Sequence, residues 1–232
     1  MTEGPLGRRP PTDFFHIDKY PLRALSEAER PKGVPSAIGV NWYPEFDRPV
    51  KGRDGRWRVA HPASGSRPRG GHCVVVKPPK LNDPITWQIF YNQGNEGACV
   101  GFGESRMMSL LNRRRYAARW LYRAAQNIDE WPETPPEEGT SVRAGLDILR
   151  TAGHRRVHRG EIGEPKPAEG IAANRWATSI EDWQRAIGWE GKEEAPFLNS
   201  WGLSYPHIVY MQIRTYDRLR REDGEFSIIT DK

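Results

Sequence analysis

Residues 92 to 102 read Asn92-Gln93-Gly94-Asn95-Glu96-Gly97-Ala98-Cys99-Val100-Gly101-Phe102. A glycine-rich loop gives way here to an apolar helix, and a cysteine stands at the junction. Val100, Phe102, Met107, Leu110 and Leu111 make a broad apolar stripe of the kind that a helix turns towards a core. A thiol in the first turn sits at the positive end of the helix macrodipole, which favours thiolate over thiol. Gln93, six residues upstream, can donate a hydrogen bond to an oxyanion forming beside that sulfur.

Strand signals flank the helix on both sides. Ile38 to Tyr43 and Trp57 to Ala60 read as extended pieces around the turn signal Arg53-Asp54-Gly55. Ser64 to Gly71 is a loop leading into Cys73-Val74-Val75-Val76, a short buried strand with His72 at its entry, ended by Pro78 and Pro79. Downstream, Tyr116 to Gln126 reads as helix and Asp129 to Glu138 as an acidic, Pro-rich loop. Thr140 is expected to cap a helix whose face is Val142, Leu146 and Leu149, stopped by Gly153. Thr178 with Glu181 makes a capping box for a helix to Ile187, burying Ile180, Trp183 and Ile187. Phe197-Leu198, Ile208 to Ile213 and Phe226 to Thr230 read as strands, with a short helix near Tyr216 to Arg221. His158 lies in an Arg/Gly context with no strand behind it.

A helical middle between strands at both ends gives an α+β fold. Residues 1–36 read as a Pro-punctuated N-terminal arm, partly flexible, with a short helix near Leu22 to Glu29. One domain follows over 37–232, with a helical lobe at about 99–153 and a β lobe from about 38–80 and 195–232.

Composition narrows the function classes. The net charge is +5, and the patches Arg113-Arg114-Arg115, His154-Arg155-Arg156 and Arg218-Leu219-Arg220-Arg221 invite a nucleic-acid reading. Two of them lie on expected helices, where Arg covers a solvated face, and Glu190 to Glu194 dilutes the field. With no helix-turn-helix, zinc or RNA-binding signature, nucleic-acid binding ranks last. Two cysteines, Cys73 and Cys99, argue against a disulfide scaffold and for a reducing compartment. There is no run of about 18 apolar residues to span a membrane, and Met1 to Pro11 lacks the apolar segment of a secretory leader. His154 and His158 have the i, i+4 spacing of a metal pair, but Arg155, Arg156 and Arg159 surround them without carboxylates. No metal and no cofactor are expected.

The order Gln93, glycine-rich turn, Cys99 resembles the nucleophile loop of papain-like cysteine peptidases. Phe197-Leu198-Asn199-Ser200-Trp201-Gly202 resembles the same family's Asn-Ser-Trp-Gly loop. Glu138-Gly139-Thr140-Ser141-Val142-Arg143 and the helix after it resemble the helix that follows the nucleophile helix in microbial members. The similarity covers roughly residues 78–153 and 195–230. It implies a two-lobed fold, with the helical lobe packed against an antiparallel β lobe. It also implies roles: Cys99 as nucleophile, Asn199 orienting a histidine, Gln93 and the Cys99 N–H binding the oxyanion, and Trp201 shielding the His–Asn contact.

In that family the histidine follows the cysteine. Here the family-like Gly-Gly-His before apolar β residues is Gly70-Gly71-His72, upstream of it. The expected site is therefore permuted, in the order His72, Cys99, Asn199, because such sites are defined by geometry and not by order. Val100 and Gly101 replace the bulky aromatic that commonly follows the family's nucleophile. Cys73 is expected to pack on the opposite side of its strand from His72, and His207 to be structural.

The implied activity is thiol-dependent hydrolysis of peptide or other amide bonds, with a peptide or protein substrate. An Arg-rich chain without a leader suits bacterial cytoplasm or a bacteriophage particle or infected cell, with viral structural proteins as partners. The competing expectation is a catalytically silent papain-like module, for instance a virion component, and the missing downstream histidine supports it. Acyl transfer by the same nucleophile is not separable from hydrolysis at this level.

Overall fold

The computed structural model describes residues 33–79, 91–129, 139–202 and 205–231. Residues 1–32 of the expected arm, including its short helix, and most of the acidic loop lie outside the described residues.

Four strands come first: β1 (Ser36–Trp42), β2 (Val50–Lys51), β3 (Trp57–Arg58) and β4 (Gly70–Val76). The helical section holds α1 (Cys99–Asn112), β5 (Arg115–Tyr116), α2 (Ala118–Gln126) and α3 (Val142–Thr151). Then follow β6 (His154–His158), β7 (Glu161–Lys166), β8 (Ala173–Trp176) and α4 (Ile180–Ala186). The chain closes with β9 (Glu194–Leu198), β10 (Val209–Gln212), α5 (Ile213–Arg221) and β11 (Glu225–Thr230).

The architecture is mixed α+β. A large sheet has the order β2-β3-β10-β9-β4-β1-β11-β8, and a small one the order β5-β6-β7. Alternation along β1 and β4 sends side chains to two apolar layers. Ile38, Val40, Trp42, Val74 and Val76 pack with Trp183 of α4 and Tyr216 and Leu219 of α5. Ala37, Cys73 and Val75 pack with Met107 and Met108 of α1 and Leu146 and Leu149 of α3. Each large aliphatic side chain so buried contributes about 1.5–3 kcal/mol, and this two-sided burial explains why β4 reads as an unbroken apolar run.

Two glycines in α1 set how closely it is held. A Cβ at Gly101 would lie 2.6 Å from the Cβ of Tyr122 and 2.7 Å from the Ala118 carbonyl oxygen on α2. A Cβ at Gly103 would lie 2.8 Å from the Cys73 sulfur on β4. Each costs about 1 kcal/mol of helix propensity relative to alanine, and in exchange α1 lies directly against both α2 and the sheet.

Several expectations are corrected. The β lobe is not purely antiparallel: β3 runs parallel to β10, Trp57 opposite Val209, and β8 adds an unforeseen strand beside β11. The stretch around His158 is not strandless, because β6 and β7 form a hairpin with His158 opposite Glu161. Its side chains are mostly exposed, so the ladder rests on backbone pairing and left little apolar alternation to read. The same sheet captures Arg115 and Tyr116 opposite Val157 and Arg156, which delays the helix expected from Tyr116 to Ala118. Ser141, not Thr140, caps α3 by accepting the Ala144 N–H at 3.2 Å, while the Thr140 hydroxyl donates to Asp129. Ser179, not Thr178, caps α4 by accepting the Asp182 N–H at 3.1 Å. Thr178 donates its N–H and hydroxyl to the Asp182 carboxylate instead.

Candidate functional site

The register of β4 creates the opening. β4 pairs with β1 along its whole length but with β9 only at Val75 and Val76. Beyond Leu198 the chain leaves β9 through Asn199, Ser200 and Trp201, which brings that loop beside the unpaired His72 end of β4. His72 Nε2 lies 2.8 Å from Asn199 Oδ1, and the Ser200 N–H donates to the same oxygen at 2.7 Å. An amide oxygen only accepts, so Nε2 carries the proton and Nδ1 keeps its lone pair. Trp201 lies 5.1 Å from the His72 ring, centroid to centroid, and Trp42 lies 4.7 Å from it edge-on. The imidazole is 8 % exposed. Burial pulls its pKa down to about 4, and the Asn199 bond opposes that shift without cancelling it.

Cys99 opens α1. The N-cap is Ala98, which offers no side-chain cap, so the first-turn amides are left to other acceptors. Backbone N–H groups of Cys73, Val100 and Cys99 itself favour the thiolate, but burial is the larger effect and raises the thiol pKa. His72, Cys99 and Gln93 line one cleft of about 610 Å³. Among the described residues no hydrogen bond joins the His72 ring to the Cys99 sulfur. The parity of β4 explains the separation. His72 shares a face with Val74 and Val76, whereas Cys99 packs with the Cys73 layer, so the two groups come from different layers and share only the lining of the cleft.

The two motif loops are clipped together. The Gln93 N–H donates to the Ser200 carbonyl at 2.9 Å and the Gly202 N–H to the Tyr91 carbonyl at 3.2 Å, around a bridge between Asn92 and Trp201. The Gln93 side chain donates one amide hydrogen to the Glu96 carbonyl at 3.0 Å. That leaves its second hydrogen for a ligand, while its oxygen is buried without a partner.

Three residues not singled out for the site support it. Arg106, seven residues after Cys99 and therefore about two turns along the same helix face, is buried and donates to the Asn199 carbonyl at 2.7 Å. Its other terminal nitrogen donates to His207 Nδ1 at 3.0 Å, and burial lowers the guanidinium pKa to about 10. Trp42 walls the imidazole because it pairs with Gly70, two residues from His72. The spacing of Arg106 to Cys99 was a readable signal, whereas the places of Trp42 and His207 depended on register and loop path. Cys73 is fully buried against Gly103, with its thiol pKa pushed up by burial. His154 is buried with Nε2 2.8 Å from the Ser105 hydroxyl, and His158 is exposed at the far end of β6.

Among the described residues no group of three or more His, Cys, Asp or Glu is placed to hold a metal ion. No helix among them is long and apolar enough to cross a membrane. Comparison with family models, with curated proteins and with solved structures finds no match for this chain.

Proposed function

We propose that the protein is a thiol-dependent hydrolase of peptide or other amide bonds, with a papain-like site in which the histidine strand precedes the cysteine. The observation that carries this reading is the His72–Asn199 bond at 2.8 Å, formed at the wall of the cleft that holds Cys99 and Gln93. Packing of α1 and α3 against the sheet that bears His72, with α2 laid on both helices, supports a two-lobed, papain-like arrangement.

The chemistry follows from the tautomer. Both pKa shifts favour neutral forms, so the resting pair is thiol and imidazole and His72 acts as a general base. As Cys99 Sγ attacks the substrate carbonyl carbon, its proton passes to His72 Nδ1. The oxyanion is held by the free Gln93 amide hydrogen and the α1 N-terminal amide of Cys99. His72 then gives the proton to the leaving nitrogen, and the amine departs from the acyl-enzyme thioester. Water, deprotonated by His72, attacks the thioester, which releases the acid and restores the thiol. Asn199 holds the ring throughout, and Trp201 and Trp42 keep water from that bond.

The lack of a direct His72–Cys99 bond favours a second reading, a silent module with the same fold. Labelling with a thiol-directed epoxide, followed by intact mass and peptide mapping, separates the two. The hydrolase reading expects one adduct at Cys99 near neutral pH, formed at least about a hundredfold more slowly in His72→Ala and absent in Cys99→Ala. Folded His72→Ala reacting at the wild-type rate would refute the base role and leave the silent module.

A further inference from the structure

The cleft is acidic in a chain that is basic overall. Lys and Arg number 35 against 30 Asp and Glu. Among the described residues, however, the lining includes no Lys or Arg, and its carboxylates are Glu222 and Asp223, on the turn between α5 and β11, and Glu225, which opens β11. They differ in what already satisfies them. Glu222 receives Arg218 Nε and the Tyr43 hydroxyl, each at 2.8 Å. Asp223 is exposed on a left-handed turn with φ of 64° and has no ion pair among the described residues.

Glu225 is seated by the backbone around it. Its Oε2 accepts the Val142 N–H at 3.1 Å at the start of α3, a neutral donor that fixes the carboxylate without discharging it. It lies over Gly39 of β1, where a Cβ would come within 3.1 Å of Oε2, so a glycine there leaves the carboxylate room at the cleft wall. Its own burial pushes its pKa upward, as does Asp129, while the Val142 and Arg143 amides and the Arg143 guanidinium pull it down. A cation brought to this wall is attracted by these carboxylates, and an anion is repelled by them.

We infer that the cleft selects amide substrates carrying a cationic, lysine- or arginine-like side chain, which is seated against Asp223 and Glu225 while the amide is presented to Cys99. The inference rests on Cys99 being the nucleophile of the proposed hydrolase.

Two methanethiosulfonates of matched size, one bearing a trimethylammonium and one a sulfonate, read the wall through Cys99 itself. Their rates at Cys99, located by peptide mapping, are each divided by the rate on a small neutral thiol. At low ionic strength the cationic reagent is expected to react at least about tenfold faster than the anionic one. The preference should shrink as salt shortens the screening length to about 8 Å at 0.15 M. In the double variant Asp223→Asn/Glu225→Gln it should fall to about one. The Glu225→Gln change retains a side-chain oxygen for the Val142 N–H, so the fold is kept. A wild-type ratio near or below one, with Cys99 still labelled by the epoxide in a His72-dependent way, would overturn the inference and leave the hydrolase reading standing. A high ratio unchanged in the double variant would overturn the assignment to these two carboxylates. A folded protein whose Cys99 reacts with neither reagent nor the epoxide would remove the nucleophile reading and the inference with it.

Discussion

Acid should weaken this fold through two histidines, and the size of the effect reports the protonation state on which the proposed chemistry depends. His72 and His154 are both buried, with pKa values pulled down to about 4 and about 3 by desolvation, against about 6.5 in an unfolded chain. Between those limits the unfolded state binds more protons than the native one, so stability falls as pH falls. From pH 7 to pH 4 each histidine accounts for about 3 kcal/mol of lost stability, a large part of the roughly 5–15 kcal/mol that a domain possesses. Glu104 and Glu225 act with the opposite sign. Their native pKa values are raised, so the stability they contribute is present at low pH and is lost as pH rises through the native pKa. The wild-type curve is therefore a sum of opposing slopes, and the clean quantity is a difference. Urea unfolding at pH 7 and pH 4 on wild type, His72→Gln and His154→Gln isolates it. Each variant should lose about 3 kcal/mol less than wild type over that interval. If all three fall in parallel, the native histidines are already protonated, burial does not control them, and His72 has no free lone pair with which to act as a base.

Asn199→Ala should slow epoxide labelling of Cys99 at neutral pH, because the ring loses its anchor. It should also cost about 1–3 kcal/mol through the stranded Ser200 N–H, read by urea unfolding. Cys73→Ala should leave labelling at one adduct per chain by intact mass, since its sulfur is enclosed against Gly103. Gly101→Ala should destabilise by about 1–3 kcal/mol despite its better helix propensity, because backbone atoms of α2 occupy the space; a rise in melting temperature would contradict this. Ser141→Ala should cost about 1 kcal/mol while Thr140→Val leaves the α3 cap itself intact, a contrast visible as amide-exchange protection in the first turn of α3.

Elements with a buried face were legible. The apolar run at Val74 to Val76 and the stripe from Val100 to Leu111 announced β4 and α1, since burial writes a period into the sequence. The hairpin of β6 and β7 was not, because His154-Arg155-Arg156-Val157-His158 pairs through its backbone and keeps most side chains in water. Likewise β8 carries only Ala173, Asn174, Arg175 and Trp176. At the site, Cys99, Gln93 and Asn199 were legible from local spacing. The bond from His72 to Asn199 spans 127 positions and depends on the divergence of β4 and β9, which no local pattern encodes. Which way the two pKa values move was hidden for a related reason: local sequence suggested an activated thiolate, and the desolvation that opposes it comes from distant residues.

Under the proposed hydrolase reading, the clip between Tyr91–Gln93 and Ser200–Gly202 also sets when a newly made chain becomes reactive. Synthesis runs from the N-terminus, so His72, Gln93 and Cys99 leave the ribosome well before the loop that joins them. Until that loop arrives, the imidazole has no Asn199 to fix its tautomer and the glutamine loop has nothing to hold its shape. The acidic turn and β11, which seals the sheet against β1, come later still. On the proposed hydrolase reading, a nascent or truncated chain is inert, and chemistry begins only when the whole domain has closed on itself.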